Sequence, residues 1–347
     1  MTNLKPRLWV LTLTISLICL GIASVWTENA EGKEPVKPKK AEIKFNIGSN
    51  TLSYYPFPIR SAEIYRLPKP ADLIPKHTAF DQDGIPMYQD KEGKPLYNHP
   101  VRLANNIINF ITSYQMTKDE RYLREAQKYA KRLSDIAVEK DGALYFPYDF
   151  DVYLHNIPTE HLKPRWYSGM AQGQALSAFV RLYQITHDPQ YRILADKTYL
   201  CFAQLRSKNH PWWVTMADKN GHYWIEEYPM EKPTHVLNGF IFAAYGLYDY
   251  YQLTKKEEAK VLLQAAITTV YDNIDRYRVP DDASRYGLKL THQSMHYHMV
   301  HIEQLETLYQ MTGDPYFHQM SQTFHHDWYG WPAKFKRQVN KVKTAFE

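Results

Sequence analysis

The sequence predicts an all-α protein: an (α/α) toroid-like array of helical hairpins, carrying a short irregular N-terminal arm with some β structure. Two observations predict it. A pattern of Tyr-Gln-aliphatic-Thr and a polar turn recurs four times: YQMTKDERYL from Tyr114, YQITHDPQYR from Tyr183, YQLTKKEEAK from Tyr251 and YQMTGDPYFH from Tyr309. The intervals of 69, 68 and 58 residues leave room for two helices and their loops in each copy. The second observation is that an apolar-periodic stretch runs into each copy. Asp-Pro follows at 188–189 and 314–315, which puts the proline in the first turn of the next helix.

The elements follow in chain order. Lys5 and Arg7 precede an uncharged apolar run from Trp9 to Trp26, the pattern of an export signal or membrane anchor over residues 1–27. Ala30 is a weak cleavage candidate, and Ile18 before Cys19 argues against a lipid-modified cysteine. Either outcome places the body outside the cytoplasm. Residues 28–40 are Lys, Glu and Pro with little else, which is a linker. Residues 41–100, with turns such as DQDGIP and KEGKP, form the irregular arm with one or two short strands. The helical body spans 101–330, and a basic tail, 331–347, closes the chain. That tail, Lys334 to Lys343, reads as a solvated terminal helix ahead of a grip on an anionic polymer.

Composition narrows the function classes. The chain has 347 residues, with 28 tyrosines, 8 tryptophans and a net charge of +5. Such an aromatic excess suits a carbohydrate cleft as well as it suits a helical core filled with tyrosine. The mild positive charge favours an acidic partner. Nucleic acid is disfavoured, because no dense basic block with interleaved aromatics precedes the tail. Cys201 is alone in the body, which excludes a disulfide framework and a cysteine-based metal site.

Loops positioned by a rigid scaffold are where chemistry tends to sit. In HYWIEEYP, Pro229 pushes Tyr228 out of the helical region, so Glu226, Glu227 and Tyr228 lie on an extended or turning segment. On the residues alone this reads as a solvated acidic pair with a packed tyrosine, ahead of a carboxylate base beside a phenol. In SRYGLKL, one helical turn would present Tyr286 and Lys289 together. The stretch THQSMHYHMVH, 291–301, carries four histidines around Tyr297. His292 and His296 have metal-ligand spacing, but no carboxylate interrupts the run, so no metal is expected. The helix starting there puts Tyr297, His301, Leu305 and Leu308 on one apolar face. His298 and His301 are then expected to hydrogen-bond, and His292 to be exposed.

KPRWYSGMAQGQALSAFVRLY, YWIEEYP, HVLNGFIFAAYGLYDY and YHMVHIEQLETLY, in that order, resemble the C-terminal catalytic domain of the D-glucuronyl C5-epimerases of heparan sulfate biosynthesis. YNHPVRLANNIINF is similar to the opening of that domain, and the resemblance covers roughly residues 80–330. It implies an α/α domain, without cofactor, that inverts C5 of glucuronate within an acidic, heparosan-like polymer. It puts the catalytic positions at Glu227, Tyr228, Tyr286 and Tyr297, with His298 after the late tyrosine and Asn238 in its L-N-G-F motif; His301, Arg165, Trp166 and Lys289 join Asn238 and His298 as expected substrate contacts. Anchoring through the N-terminus and a homodimer are compatible with it. The chain departs from the family's animal members at Lys289, where they carry arginine, and at Met295-His296, where they carry Trp-Asp. Their β-rich domains have only the 41–100 arm in their place.

The residue types suit that reaction. The C5 hydrogen lies α to a carboxylate, and its removal leaves an enolate that needs a cation and donors, here Lys289 and Asn238. Inversion needs a base and an acid on opposite faces, here Glu227 and Tyr297, with Tyr228 and Tyr286 positioning the carboxylate or sharing the proton. A phenol with a pKa of about 10 is a poor base, so His298, His301 or Lys289 is expected to favour ionised Tyr297. Two other readings use the same residues: a uronate lyase, which abstracts the same proton and expels the C4 oxygen, and a non-catalytic uronan-binding protein.

Overall fold

The computed structural model describes residues 37–75, 79–90, 94–207, 213–289 and 293–344. The apolar segment of residues 1–27, most of the linker and His292 lie outside the described residues. Lys39–Glu347 forms one compact unit and Met1–Pro38 the other.

Four helical hairpins make the body. They are α1 (Pro100–Thr117) with α2 (Glu120–Asp135), α3 (Gly169–Thr186) with α4 (Pro189–Ala203), α5 (Leu237–Thr254) with α6 (Glu257–Asn273), and α7 (Met295–Thr312) with α8 (Pro315–Tyr329). A last helix, α9, spans Trp331–Thr344. The recurring sequence pattern is the hairpin corner. Each first helix stops at the pattern's threonine, and the next residue (Lys118, His187, Lys255 or Gly313) turns left-handed, with its N–H on the carbonyl of the pattern's tyrosine. The Thr117, Thr186 and Thr312 hydroxyls donate to the carbonyl four residues back. All four threonine hydroxyls accept the N–H two residues on, at 3.1–3.2 Å. Asp119, Asp188 and Asp314 then cap the following helices. Lys256 takes that place in the third corner, which has no side-chain cap.

The first helices of the hairpins form an inner row, α1 against α3, α3 against α5 and α5 against α7, each backed by its hairpin partner. The α3–α5 pair is the tightest: a Cβ on Gly173 would run into the backbone of Ala243, and one on Gly246 into Gly173. Inner α5 is buried on nearly every side, whereas outer α2 buries the single stripe Ala126, Tyr129, Ala130 and Leu133.

The strands are short and paired in twos. β1 (Ile43–Ile47) and β2 (Asn50–Tyr54) pair as an antiparallel hairpin in the arm, where one or two short strands were expected. The loops between helical hairpins hold eight more: β3 (Val138–Lys140) with β4 (Ala143–Tyr145), β5 (Pro147–Tyr148) with β8 (Trp166–Tyr167), β6 (Val152–Tyr153) with β7 (His161–Leu162), and β9 (Thr215–Ala217) with β10 (Tyr223–Ile225). Strands of two or three residues are too short for an alternation to register in the sequence.

Past β2 the arm becomes a strap. Its backbone bonds Thr268 and Gln264 of α6 at Tyr55 and Phe57, and Met311 of α7 at Arg60. It continues to Tyr248 of α5 at Ala62 and Ser113 of α1 at Ala71. Between these points Arg181 of α3 lies over the Tyr65 ring, 5.1 Å away, and itself pairs with buried Asp249 of α5 at 2.7 Å. Phe57 and Ile64 enter the main core. The strap therefore crosses the inner helices toward their C-terminal ends and leaves the N-terminal ends to the loops.

Candidate active site

The expected catalytic residues meet at the N-terminal ends of α3, α5 and α7. Where β10 ends, the Glu226 carbonyl accepts the N–H of Gly169, the first residue of α3, at 2.8 Å. The Glu226 carboxylate turns into the protein, where it accepts the N–H groups of Thr234 and His235 and lies 2.5 Å from His235 Nδ1. Glu227 faces the other way, at a bend just past the end of β10. Its carboxylate lies against Gly239 in the first turn of α5, at a place any Cβ on Gly239 would fill. Helix N-terminal dipoles favour negative charge in such a position. Both glutamates are buried, so the solvated pair is corrected: β10 carries them inside, between two helix ends.

Tyr286 is held at the same helix end by its carbonyl, which accepts the Leu237 N–H at 3.0 Å. Its hydroxyl lies 3.5 Å from both Glu227 oxygens, and its ring centre is 4.4 Å from that of Tyr297 in the first turn of α7. Tyr228 adjoins both Glu227 and Tyr286. Its ring lies 5.9 Å from Trp166, which stacks on Tyr148 and donates its indole N–H to Phe150. One carboxylate thus sits among three phenols. Tyr228 and Tyr297 are partly exposed, and Glu227 and Tyr286 lie behind them.

Burial pushes the Glu227 carboxyl up to about 7; hydrogen bonds from Tyr228 and Tyr286 oppose the shift, and the neighbouring Glu226 adds to it. A carboxyl with that pKa can give and take a proton near neutral pH. All three phenols are pushed above the ordinary tyrosine value, first by burial and then by the charge of Glu227. They remain protonated donors.

That corrects the expected role of the histidines. His298 and His301 are buried and bond Ser284 and Phe324, not Tyr297. His298 Nδ1 accepts the Ser284 N–H at 2.9 Å, its Nε2 donates to the Phe324 carbonyl, and His301 Nδ1 lies 2.8 Å from the Ser284 hydroxyl. Burial lowers His298, and burial with His298 nearby lowers His301 to about 3. Two neutral, fully buried rings supply no charge to a phenolate; they hold the loop that carries Tyr286. His296 is exposed, its ring centre 5.3 Å from that of Tyr297.

The expected helical turn at 285–289 is also corrected. Arg285 and Gly287 make isolated bridges to Gln293 and Val236, so Tyr286 and Lys289 sit on an irregular loop. Lys289 Nζ is 2.7 Å from Glu160 Oε2. Glu160 is buried, and His155, in the same β6–β7 hairpin, presents its ring edge-on to Tyr286 at 5.5 Å. Neither residue was legible in the sequence, where HNIPTEH has no periodicity or motif. Asn238 is buried in the first turn of α5; its carbonyl accepts from Gln304, and its Oδ1 has no partner among the described residues. Arg165 is exposed and paired with Asp149.

Residues 140–326 match the family described as D-glucuronyl C5-epimerase C-terminus. The chain belongs to this family. Among its relatives, an uncharacterised protein of Methanocaldococcus jannaschii is 26% identical over 202 residues, 55% of this chain and 65% of that protein. A D-glucuronyl C5-epimerase of Caenorhabditis elegans is 29% identical over 162 residues, 41% of this chain and 25% of its own length. The chain thus spans less than two thirds of either relative. Among solved structures, a cellobiose 2-epimerase of Bacillus thermoamylovorans is similar with a TM-score of 0.46 at 13% identity, covering 66% of this chain and 59% of that one. The C5-epimerase segment holds Glu160, Glu227, Tyr228, Tyr286, Lys289 and Tyr297, while α1, α2, the strap and α9 lie outside it.

Proposed function

We propose that the protein inverts C5 of D-glucuronate residues to L-iduronate within an acidic, heparosan-like polysaccharide. The observation that carries this reading is the buried Glu227 carboxyl, poised near pH 7 among three protonated phenols. Family membership supports an epimerase acting on a carbohydrate.

Glu227 takes the C5 proton, and the electrons of the breaking C–H bond pass into the uronate carboxylate. Tyr228 and Tyr286 donate hydrogen bonds to that developing charge, where an oriented donor is worth about 10²–10³ in rate. Tyr297 delivers its proton to C5 from the other face. Tyr286, which interacts with both Glu227 and Tyr297, provides the path by which the abstracted proton returns to Tyr297. Lys289 meets the uronate carboxylate after leaving Glu160 or while sharing with it.

Incubation of the protein with heparosan in D₂O, followed by NMR, tests the reading. Deuterium at C5 with iduronate appearing is the expected result. An unsaturated uronate absorbing in the ultraviolet would make the protein a lyase. Binding without exchange would make it a uronan-binding protein.

A further inference from the structure

α9 turns its apolar face outward. Trp331 is 74% exposed and Phe335 55% exposed, their rings stacked at 5.3 Å and 14°. The helix meets the body through the opposite face. Ala333 is fully buried, and Arg337 lies 4.1 Å over the Trp328 ring and donates to its carbonyl. A helix serving only the core would be the reverse.

In the sequence, Val339 and Val342 follow Trp331 and Phe335 at helical spacing. Lys334 and Lys341 each precede an apolar position by one residue, Lys343 follows one, and no acidic residue falls within 331–344; Lys336, which follows Phe335, is engaged by Asp282 of the body at 3.4 Å. An apolar stripe rimmed by lysines on both sides is the pattern of a helix lying in a bilayer interface. At about 21 Å for fourteen residues, α9 is too short to span a hydrocarbon core of about 30 Å. Among the described residues, no helix is long and apolar enough to cross a membrane.

We infer that α9 is a docking helix for a membrane surface bearing anionic phospholipid: Trp331 and Phe335 enter the headgroup boundary and the flanking lysines meet lipid phosphates. An acidic polysaccharide would satisfy the lysines but offers no apolar phase to the aliphatic positions that follow Phe335 in the sequence. The inference is independent of the reaction proposed above, because none of these residues belongs to the Glu227 cluster.

The full chain is sedimented with vesicles of phosphatidylcholine alone or mixed with phosphatidylglycerol, at low and raised salt. The apolar segment before residue 28 would bind both lipids alike, so the readout is the preference for the mixed vesicles. The parent is expected to prefer them, less so in salt. Trp331→Ser with Phe335→Ser should weaken binding to mixed vesicles at least about tenfold. Lys334→Gln with Lys341→Gln should erode the preference about fivefold per charge removed. An unchanged thermal midpoint serves as the folding control. A parent without preference, or variants that bind mixed vesicles as the parent does, would overturn the inference. Variants that lose heparosan binding alone would also overturn it, and would assign the helix to the polymer.

Discussion

Glu227 ties stability to activity. Its folded pKa of about 7 lies above the ordinary glutamate value, so the native state keeps a proton that the unfolded chain releases. Stability therefore falls as pH rises from about 4.5 to about 7, by on the order of 3 kcal/mol. Denaturant unfolding of Glu227→Gln at pH 5 and pH 8 should show that loss abolished, while C5 exchange drops about 10²–10⁴-fold. In the parent, exchange should rise through an inflection near pH 7 as the base form appears; a flat profile would remove Glu227 from that role. Gly239→Ala should cripple exchange in a chain that still folds, because the new methyl takes the carboxylate's place. Glu160→Gln frees Lys289 for substrate, so KM should fall severalfold with kcat little changed; a higher KM would show that Glu160 positions Lys289 for binding. The Glu227–Tyr228 pair was singled out through the resemblance, whose motif is contiguous there; the residues alone read as a solvated pair, because burial between two helix ends is a long-range property. Glu160 was not, since it meets Lys289 from 129 residues away.

The helices were legible because each level of the sequence agrees. Apolar spacing, the Y-Q-aliphatic-T stop and the turn residue place the same boundary, which is why Thr117, Thr186, Thr254 and Thr312 end their helices, and an aspartate cap adds to them in every corner but the third. Asp188→Ala should cost about 1 kcal/mol through loss of the α4 cap, read as a lower denaturation midpoint. The β ladders of the loops were illegible, since long-range pairing sets them. β5 pairs with β8 only because the hairpin of β6 and β7 fits between them. The irregular path at 285–289 has the same origin: Val236 and Thr234 draw that loop onto the α5 end.

At the scale of the molecule, the arm is fastened by charge as well as packing. His222, between β9 and β10, lies 3.1 Å from Asp218 and 3.2 Å from Asp272 of α6, and Tyr55 of the strap donates to Asp272. Burial would lower His222, but the two carboxylates prevail and raise it to about 9. A raised folded pKa means a contribution present in full below about pH 6.5 and lost as pH climbs through about 9. Thermal midpoints of the parent should decline across that window, and those of His222→Asn should be lower and flatter. An arm was legible in the turns of residues 41–100, but its route was not, because many separate helices, from α1 to α8, supply its partners.

The strap also decides how a long substrate can meet the site. Phe57 and Ile64 take the strap into the core at the C-terminal halves of the inner helices, while the Glu227 cluster sits at their N-terminal ends. On the proposed reaction, an interior sugar of the polymer would enter from the loop side and withdraw by the same route. Free chain ends then confer no advantage, and each inversion is followed by a choice between release and a one-sugar shift along the rim.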